Sequence, residues 1–113
     1  MMNNVILIGR LTKDVEIKEV GENKVANFTL AVQRTYKNSD GEYEADFINC
    51  VAWNGVADNM SEFLKKGDLV GVKGSLITST YEKDEVKHYK TEVRADKITF
   101  LTPKKVEVKE DGE

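Results

Sequence analysis

The sequence predicts an all-β protein in which a small sheet curls around one core and a single short helix interrupts the strands. Two observations predict it. Short apolar runs that alternate or are rich in β-branched residues recur along most of the chain, with turn residues between them. Only residues 56–64 place apolar side chains at the spacing of a helix face. With 113 residues, 40% of them hydrophobic, the chain is long enough for one domain with its own core.

Strand signals fill the first half of the chain. Residues 5–9 form a nearly continuous apolar run, typical of a strand covered on both faces, and residues 15–18 alternate. The runs 24–36 and 42–53 flank Asn38-Ser39-Asp40-Gly41, in which Asp and Gly tolerate the positive φ of a tight turn. These two runs are therefore expected to form a hairpin.

The helix and the remaining strands complete the order. Residues 56–64 form the helix, and Gly67 is expected at the C′ position that ends it. Strand signals return at residues 69–81 and 86–101, with a bend expected near Asp96. With the runs 5–9 and 15–18 counted as one region, the order is three strand regions, a helix and two more strand regions. This is the element order of the OB-fold, a five-stranded Greek-key barrel with its helix between strands 3 and 4. An SH3-like barrel or a plain sandwich would contain similar strands, but the position of the helix argues against both.

Composition excludes several classes of function. Cys50 is the only cysteine, and His88 has no second His or Cys at ligand spacing, so neither a disulfide nor a metal or other cofactor is expected. No motif assembles a nucleophile, a base and an oxyanion site, which indicates a protein that is not an enzyme. No signal peptide or membrane-spanning run stands out, so we expect a cytoplasmic protein.

The net negative charge of the chain comes from its C-terminal residues. Residues 1–103 are expected to form the domain, and residues 104–113 a charged, frayed tail. The chain has 17 Lys and Arg against 20 Asp and Glu, a net charge of −3, and its last seven residues carry four acids and one Lys. The rest of the chain is therefore close to neutral, and a nucleic-acid surface would have to depend on something besides charge.

Alternation in the run 42–53 separates large rings from small apolar residues. Phe47 and Trp53 share one face, whereas Cys50 and Ala52 share the other. The small residues suit the inside of a narrow barrel. The two rings would then lie outside, and large aromatic side chains exposed to solvent call for a functional explanation. Periodicity alone allows the opposite arrangement, with the rings in the core, equally well.

Two more rings stand beside turns, Tyr36 before the first hairpin and Tyr81 before a charged tip at residues 82–85. Rings at hairpin rims are often only hydrophobic plugs. Here their neighbours are cationic or hydroxyl-bearing, which suits phosphate contacts, and rings among such groups on an open sheet are typical of surfaces that hold unpaired nucleobases. On this interpretation the stacking residues are Tyr36, Phe47, Trp53 and Tyr81, and the phosphate contacts are Arg10, Arg34, Lys37 and Lys73.

Four blocks of the sequence resemble the bacterial single-stranded DNA-binding protein family. They lie at residues 4–14, 25–32, 63–67 and 91–93, in register over residues 3–101. The resemblance implies an OB-fold that assembles as a homotetramer and wraps single-stranded DNA, without catalysis, in replication, repair and recombination. It implies that the stacking positions of the family fall on the four rings named above. It also implies that the strand at 5–9 pairs between subunits, which would explain its two apolar faces.

Two features depart from the family pattern. Asn54-Gly55 stand where many members carry a base after the ring at Trp53. The chain ends at Glu113 without the long linker and acidic Pro-Phe tip of many members, so recruitment of partner enzymes through such a tip is not expected. Short forms of this kind resemble accessory proteins of DNA uptake and those of phages or mobile elements.

A different class of function fits the same rings. An OB-fold protein-interaction module, such as a primosome-like or scaffold subunit, would present its aromatic face to another protein.

Overall fold

The predicted OB-fold is confirmed by the computed structural model, which describes residues 1–102. This part of the chain contains six strands and one helix. Their bounds are β1 Val5–Leu11, β2 Glu16–Val20, β3 Asn23–Lys37, β4 Tyr43–Trp53, α1 Asn54–Phe63, β5 Leu69–Lys83 and β6 Val86–Phe100. The tail expected at residues 104–113 lies outside the described residues.

The strands close into a barrel. Their order is β1-β5-β6-β4-β3-β2, and β1 also pairs with β3, so five of the strands form a ring. The two contacts that complete the ring are short: β1 meets β3 at Arg10 and Leu11, and β4 runs parallel to β6 at Cys50 and Val51. Long antiparallel hairpins, β3–β4 and β5–β6, supply most of the remaining ladder.

The helix follows four strands in chain order instead of the expected three. Residues 12–15 break the first strand region into β1 and β2, which then pair with successive parts of β3. Leu11 pairs with Leu30, and Glu16 pairs with Asn27. The two short strands therefore act as one bent strand, and the barrel keeps its five-stranded plan.

The turn between β3 and β4 lies at the predicted residues 38–41, and of these only Gly41 has a positive φ. The Oδ1 atom of Asn38 accepts hydrogen bonds from the backbone N–H groups of Asp40 and Glu42, at 2.9 and 3.0 Å. Gly41 adopts φ +79°, a conformation that suits glycine. One asparagine side chain thus satisfies two of the backbone donors of the turn, which is a common role for Asn in this position.

The prediction that Gly67 is the C′ residue of the helix is wrong. The helix ends at Phe63, and the buried Leu64 is already extended with φ −114°, because the N–H groups of Lys65 and Lys66 donate to the carboxylates of Asp68 and Asp14 instead of to helix carbonyls. Gly67 has φ +91° in the turn that follows, where its N–H group donates to the carbonyl of Leu11 at 2.9 Å. Within residues 1–102 there is no helix with the length and apolar character needed to cross a membrane.

The core lies inside the barrel and under α1. Its largest fully buried side chains are Leu30, Cys50, Met60, Val70, Val72 and Val93. The expectation that the first strand is covered on both faces is not met within one chain, since Ile6 and Ile8 are 73% and 58% exposed. Val5 and Leu7 point to the other side and pack against the core.

A bulge in β6 accounts for the bend expected near Asp96. Lys73 of β5 pairs with Lys97, whereas the next residue, Gly74, pairs with Ala95, so Asp96 is the extra residue. The backbones approach so closely here that a Cβ atom on Gly74 would overlap the carbonyl oxygen of Arg94. Only glycine allows this approach, and the bulge bends the sheet toward closure.

We expect Gly74→Ala to destabilise the fold by about 1–3 kcal/mol, because the added methyl group must push β5 away from β6. Gly71→Ala on the same strand is the matched control, since a Cβ atom there meets only ordinary contacts at 3.7 Å or more. Urea denaturation of both variants measures the free energies of unfolding. Equal values for the two variants would contradict this account of the bulge.

Candidate nucleic-acid interface

Strand β4 has one side in the barrel and one side outward. Cys50 and Ala52 are 1% and 0% exposed inside the barrel. Phe47 is 67% exposed on the opposite side, and Trp53, on that same side, is half-buried. Val51 shares the side of the rings but is buried, because it lies between β3 and β6, opposite Asn27 and Arg94. Of the two arrangements that periodicity allowed, the structure adopts the one with the rings outside.

Strand pairing extends this outward side across the molecule. Val51 lies level with Arg94 of β6, and alternate residues of β6 before Arg94 lie on the same side. One of them, His88, pairs with Tyr81 of β5. We call this continuous surface the open face. Its members used below are Asn27 and Thr29 of β3, Phe47, Asn49 and Trp53 of β4, Tyr81 of β5, and His88, Lys90, Glu92 and Arg94 of β6.

Arg94 is a residue of the open face that sequence reasoning missed. Its guanidinium carbon lies 5.9 Å from the centroid of the Trp53 ring, within cation–π range. The guanidinium thus places a positive charge beside the indole, where the Asn54-Gly55 segment supplies none. The alternation of β6 could have identified Arg94, because it directly follows Val93, which is buried, and so lies on the outward side.

Tyr81 forms a ring pair across the β5–β6 hairpin. Its ring and that of His88 are stacked, with centroids 5.1 Å apart and planes inclined by 17°. Tyr81 is still 51% exposed, so part of its surface remains open to solvent. The imidazole therefore supports the tyrosine on the long hairpin, and a further flat group can reach the exposed part of the tyrosine ring.

Tyr36 lies apart from the other rings, on the β3–β4 hairpin. The β3–β4 ladder is irregular between Gln33 and Lys37, so strand register does not place Tyr36 on the open face. Its ring is 62% exposed and has the Arg34 guanidinium 6.0 Å from its centroid. The structure thus joins Phe47, Trp53 and Tyr81 on the open face and leaves Tyr36 on a projecting hairpin.

Arg34 is held by two carboxylates. Its Nε and Nη2 atoms donate to Asp46, with the shortest distance 2.8 Å, and its Nη1 atom donates to Glu44 at 3.1 Å. The hydrogen bonds and charge of Asp46 raise the pKa of Arg34 above its ordinary value. In return, the Arg34 guanidinium lowers the pKa of Asp46. Of the four cations predicted to contact phosphate, this one already has anionic partners.

The other three cations lie at separate places on the surface. Arg10 donates from Nη1 to the carbonyl of Gly67 at 3.0 Å, and the Lys37 amine lies 5.7 Å from the centroid of the Tyr43 ring. Lys73 is exposed on β5, on the same side of that strand as Tyr81. None of the three forms an ion pair within residues 1–102.

Cys50, which lies beneath the open face, has an unreactive thiol. Burial, with a smaller contribution from the negative charge of Glu92, raises the pKa of its thiol to about 12. The thiol is therefore protonated at neutral pH and packs as a small apolar group. Within the described part of the chain, no group of three His, Cys, Asp or Glu residues could hold a metal ion.

A five-stranded ring of this topology with one short helix defines the OB-fold class. Comparison with known proteins narrows the class. The Single-strand binding protein family matches residues 2–101. The chain therefore belongs to the single-strand binding protein family.

Its relatives cover most of the chain. It is 52% identical over 106 residues to the single-stranded DNA-binding protein A of Bacillus subtilis, which is 92% of this chain and 62% of that protein. It is 51% identical to single-stranded DNA-binding protein 2 of Listeria monocytogenes, over 92% of this chain and 66% of that protein. For single-stranded DNA-binding protein 1 of Lactococcus lactis the identity is 48%, over 95% and 73%. The chain thus spans a little under two thirds of the length of the first two relatives.

Removing Arg34 should return the pKa of Asp46 toward its ordinary value, because the depression comes from the guanidinium. The contribution of the pair to stability is then complete above the ordinary aspartate pKa and is lost as pH falls through the lowered one. A carbon-detected NMR titration of the Asp46 carboxyl in Arg34→Gln measures the change. Lys37→Gln, which removes another cation of the β3–β4 hairpin, is expected to leave the Asp46 titration unchanged. An identical Asp46 titration in wild type and Arg34→Gln would refute this assignment.

Proposed function

We propose that this protein binds single-stranded DNA without regard to sequence, acts in the cytoplasm during replication, repair, recombination or DNA uptake, and catalyses no reaction. Nucleobases stack on Tyr36, Phe47, Trp53 and Tyr81, and cations neutralise the phosphates. The observation that carries the proposal is the outward position of Phe47 and Trp53 on a strand whose other side is buried. The names of the relatives agree with it.

Exposed rings favour unpaired strands over a duplex. Phe47 and Trp53 are six residues apart on one side of β4, roughly 20 Å at the rise of a strand. A flexible single strand can present separate bases to both rings, whereas the base faces of a duplex are stacked on each other. Each stacked base contributes about 1–3 kcal/mol and does so for any base, since every base has a π-face.

Phosphate neutralisation supplies the second part of the affinity. Arg10, Lys37 and Lys73 are the available cations, and Arg94 joins them beside Trp53. Each phosphate contact on a single strand changes the logarithmic salt dependence of binding by about 0.7, through release of counterions. Arg34 contributes only by exchanging Asp46 and Glu44 for phosphate, so its share is the smallest of the proposed contacts.

The assembly proposed is a homotetramer. Residues 5–9 pair with β5 along one edge, and β3 covers the other edge only at Arg10 and Leu11. The remaining backbone groups of that edge, together with the exposed Ile6 and Ile8, form an apolar strand edge that a second copy of the chain can cover. Four chains would multiply the contacts made with one strand of DNA.

Trp53→Ala and Phe47→Ala are each expected to weaken oligo(dT) binding about 5- to 150-fold, the loss of one stacked base, while the fold stays intact. Titration by fluorescence anisotropy measures the affinity, and circular dichroism checks the fold. An unfolded Trp53→Ala protein would show that the indole is part of the core.

Tyr89→Ala is the matched control for these variants. Tyr89 is 78% exposed, but it pairs with Thr80 and so lies on the other face of the hairpin from Tyr81. Its loss should leave oligo(dT) binding unchanged. Trp53 emission should also be quenched by oligo(dT), and equal quenching by duplex DNA would contradict a preference for unpaired strands.

Ile8→Glu should reduce the native mass below four chain masses, because a charge would then lie on the apolar edge of β1. Light scattering after size exclusion, with and without oligo(dT), gives the mass. Val20→Glu, at an exposed position of β2, is expected to keep the wild-type mass. A monomeric wild-type protein, or a tetrameric Ile8→Glu variant, would rule out this interface.

A further inference from the structure

The β3–β4 hairpin carries Tyr36 in a segment whose position strand pairing does not determine. The register shifts between Gln33 and Lys37, so residues 34–36 lie opposite one residue of β4, Glu44. The extra residues of β3 form a bulge, in which the ladder no longer sets the direction of each side chain. The Tyr36 ring is 62% exposed, so burial does not fix it either. Another constraint is needed to hold this ring in one place.

A charged network crosses the hairpin at this bulge. The Nε and Nη2 atoms of Arg34 donate to the Asp46 carboxylate, with a shortest distance of 2.8 Å, and its Nη1 atom donates to Glu44 at 3.1 Å. Glu44 also accepts a hydrogen bond from the side-chain amide of Asn38 at 3.1 Å. The Oδ1 atom of Asn38 accepts from two N–H groups of the turn. The network therefore connects the turn, the bulge and β4.

Arg34 lies between the two carboxylates and the tyrosine ring. Its guanidinium carbon is 6.0 Å from the centroid of the Tyr36 ring, at the limit of cation–π range. All three guanidinium nitrogens donate to carboxylates, and such forked contacts fix the plane of the group. A ring that lies against a fixed guanidinium is restricted in its turn.

The network suits local positioning better than overall stability. The side chains of Arg34, Glu44 and Asp46 are 37%, 51% and 48% exposed. Exposed ion pairs stabilise a fold little, whereas a bidentate arginine within a network holds a defined geometry. A side chain that is ordered before binding loses less conformational entropy when a ligand contacts it. The network is therefore placed to prepare the Tyr36 ring for a ligand.

We propose that Asp46 and Glu44 are positioning residues for DNA binding: they hold the Arg34 guanidinium, which holds the Tyr36 ring where a nucleobase can stack on it. The inference rests on the proposed binding of single-stranded DNA and gives a role to two acidic residues. This role of Arg34 requires no phosphate contact. An acid near DNA ordinarily weakens binding because it repels phosphates, so positioning and charge predict opposite effects when the acid is removed.

Asp46→Asn is expected to weaken oligo(dT) binding about threefold or more, part of the contribution of one stacked base. An amide offers one acceptor oxygen and two donors that the guanidinium cannot use, so the network opens. Fluorescence anisotropy measures the dissociation constants, and circular dichroism checks the fold. Glu44→Gln, which keeps the contacts of Asp46, is the second variant and should show a smaller loss.

Asp40→Asn is the charge-matched control. Asp40 lies in the turn of the same hairpin and forms no ion pair within residues 1–102. Its backbone N–H group donates to Asn38, and asparagine keeps this hydrogen bond. Loss of its charge should leave oligo(dT) binding unchanged or slightly stronger, in contrast to Asp46→Asn.

A double-mutant cycle with Tyr36→Ala distinguishes positioning from a general structural role. If the network acts through the ring, Asp46→Asn causes no further loss of affinity once the ring is absent. A loss of the same size with and without the ring would show that Asp46 acts elsewhere, and would overturn the proposal.

The remaining outcomes separate this inference from the proposed function. An Asp46→Asn variant that binds as tightly as wild type, or more tightly, would overturn the positioning role, since the freed Arg34 would then serve phosphate at least as well. Binding of single-stranded DNA by Phe47, Trp53 and Tyr81 would still stand. Failure of the wild type to bind oligo(dT) would overturn both.

Discussion

The parallel contact between β4 and β6 is the interaction on which the rest of the structure depends. Cys50 and Val93 meet inside the barrel, and Val51 and Arg94 meet outside it. Without this contact the β5–β6 hairpin would be held to the sheet only through β1. A small area of buried apolar surface therefore closes the barrel and also joins the polar residues of β6 to the rings of β4.

The size of the core explains why the rings are outside. Phe28 of β3 is buried opposite Cys50, a large side chain facing a small one. A large residue on one strand of a narrow barrel requires a small one on its neighbour, because interiors are packed at crystal-like density. There is no room inside for a second set of aromatic rings from β4. The outward position of Phe47 and Trp53 is thus a consequence of packing, and the proposed stacking surface makes use of it.

Much of the fold could be predicted because its signals are local. The alternation of β4, the Asn38–Gly41 turn and the single helical segment all depend on residues close together in the chain. The predictions that were wrong concern places where residues distant in sequence determine the local structure. The helix ends early because Asp68 and Asp14 accept hydrogen bonds from the N–H groups of Lys65 and Lys66, and the N–H group of Gly67 donates to the carbonyl of Leu11.

The candidate site divides in the same way. The sequence shows which residues are aromatic, basic or acidic, and which of them lie on the same side of a strand. It does not show which residues contact each other. Arg34 faces Asp46, Arg94 faces Trp53, and Glu92 faces Lys90 in a groove shared with β3 and β4. Periodicity describes one strand at a time, whereas charge pairing and grooves depend on register between strands. That register is set by barrel closure, a property of the whole packed chain.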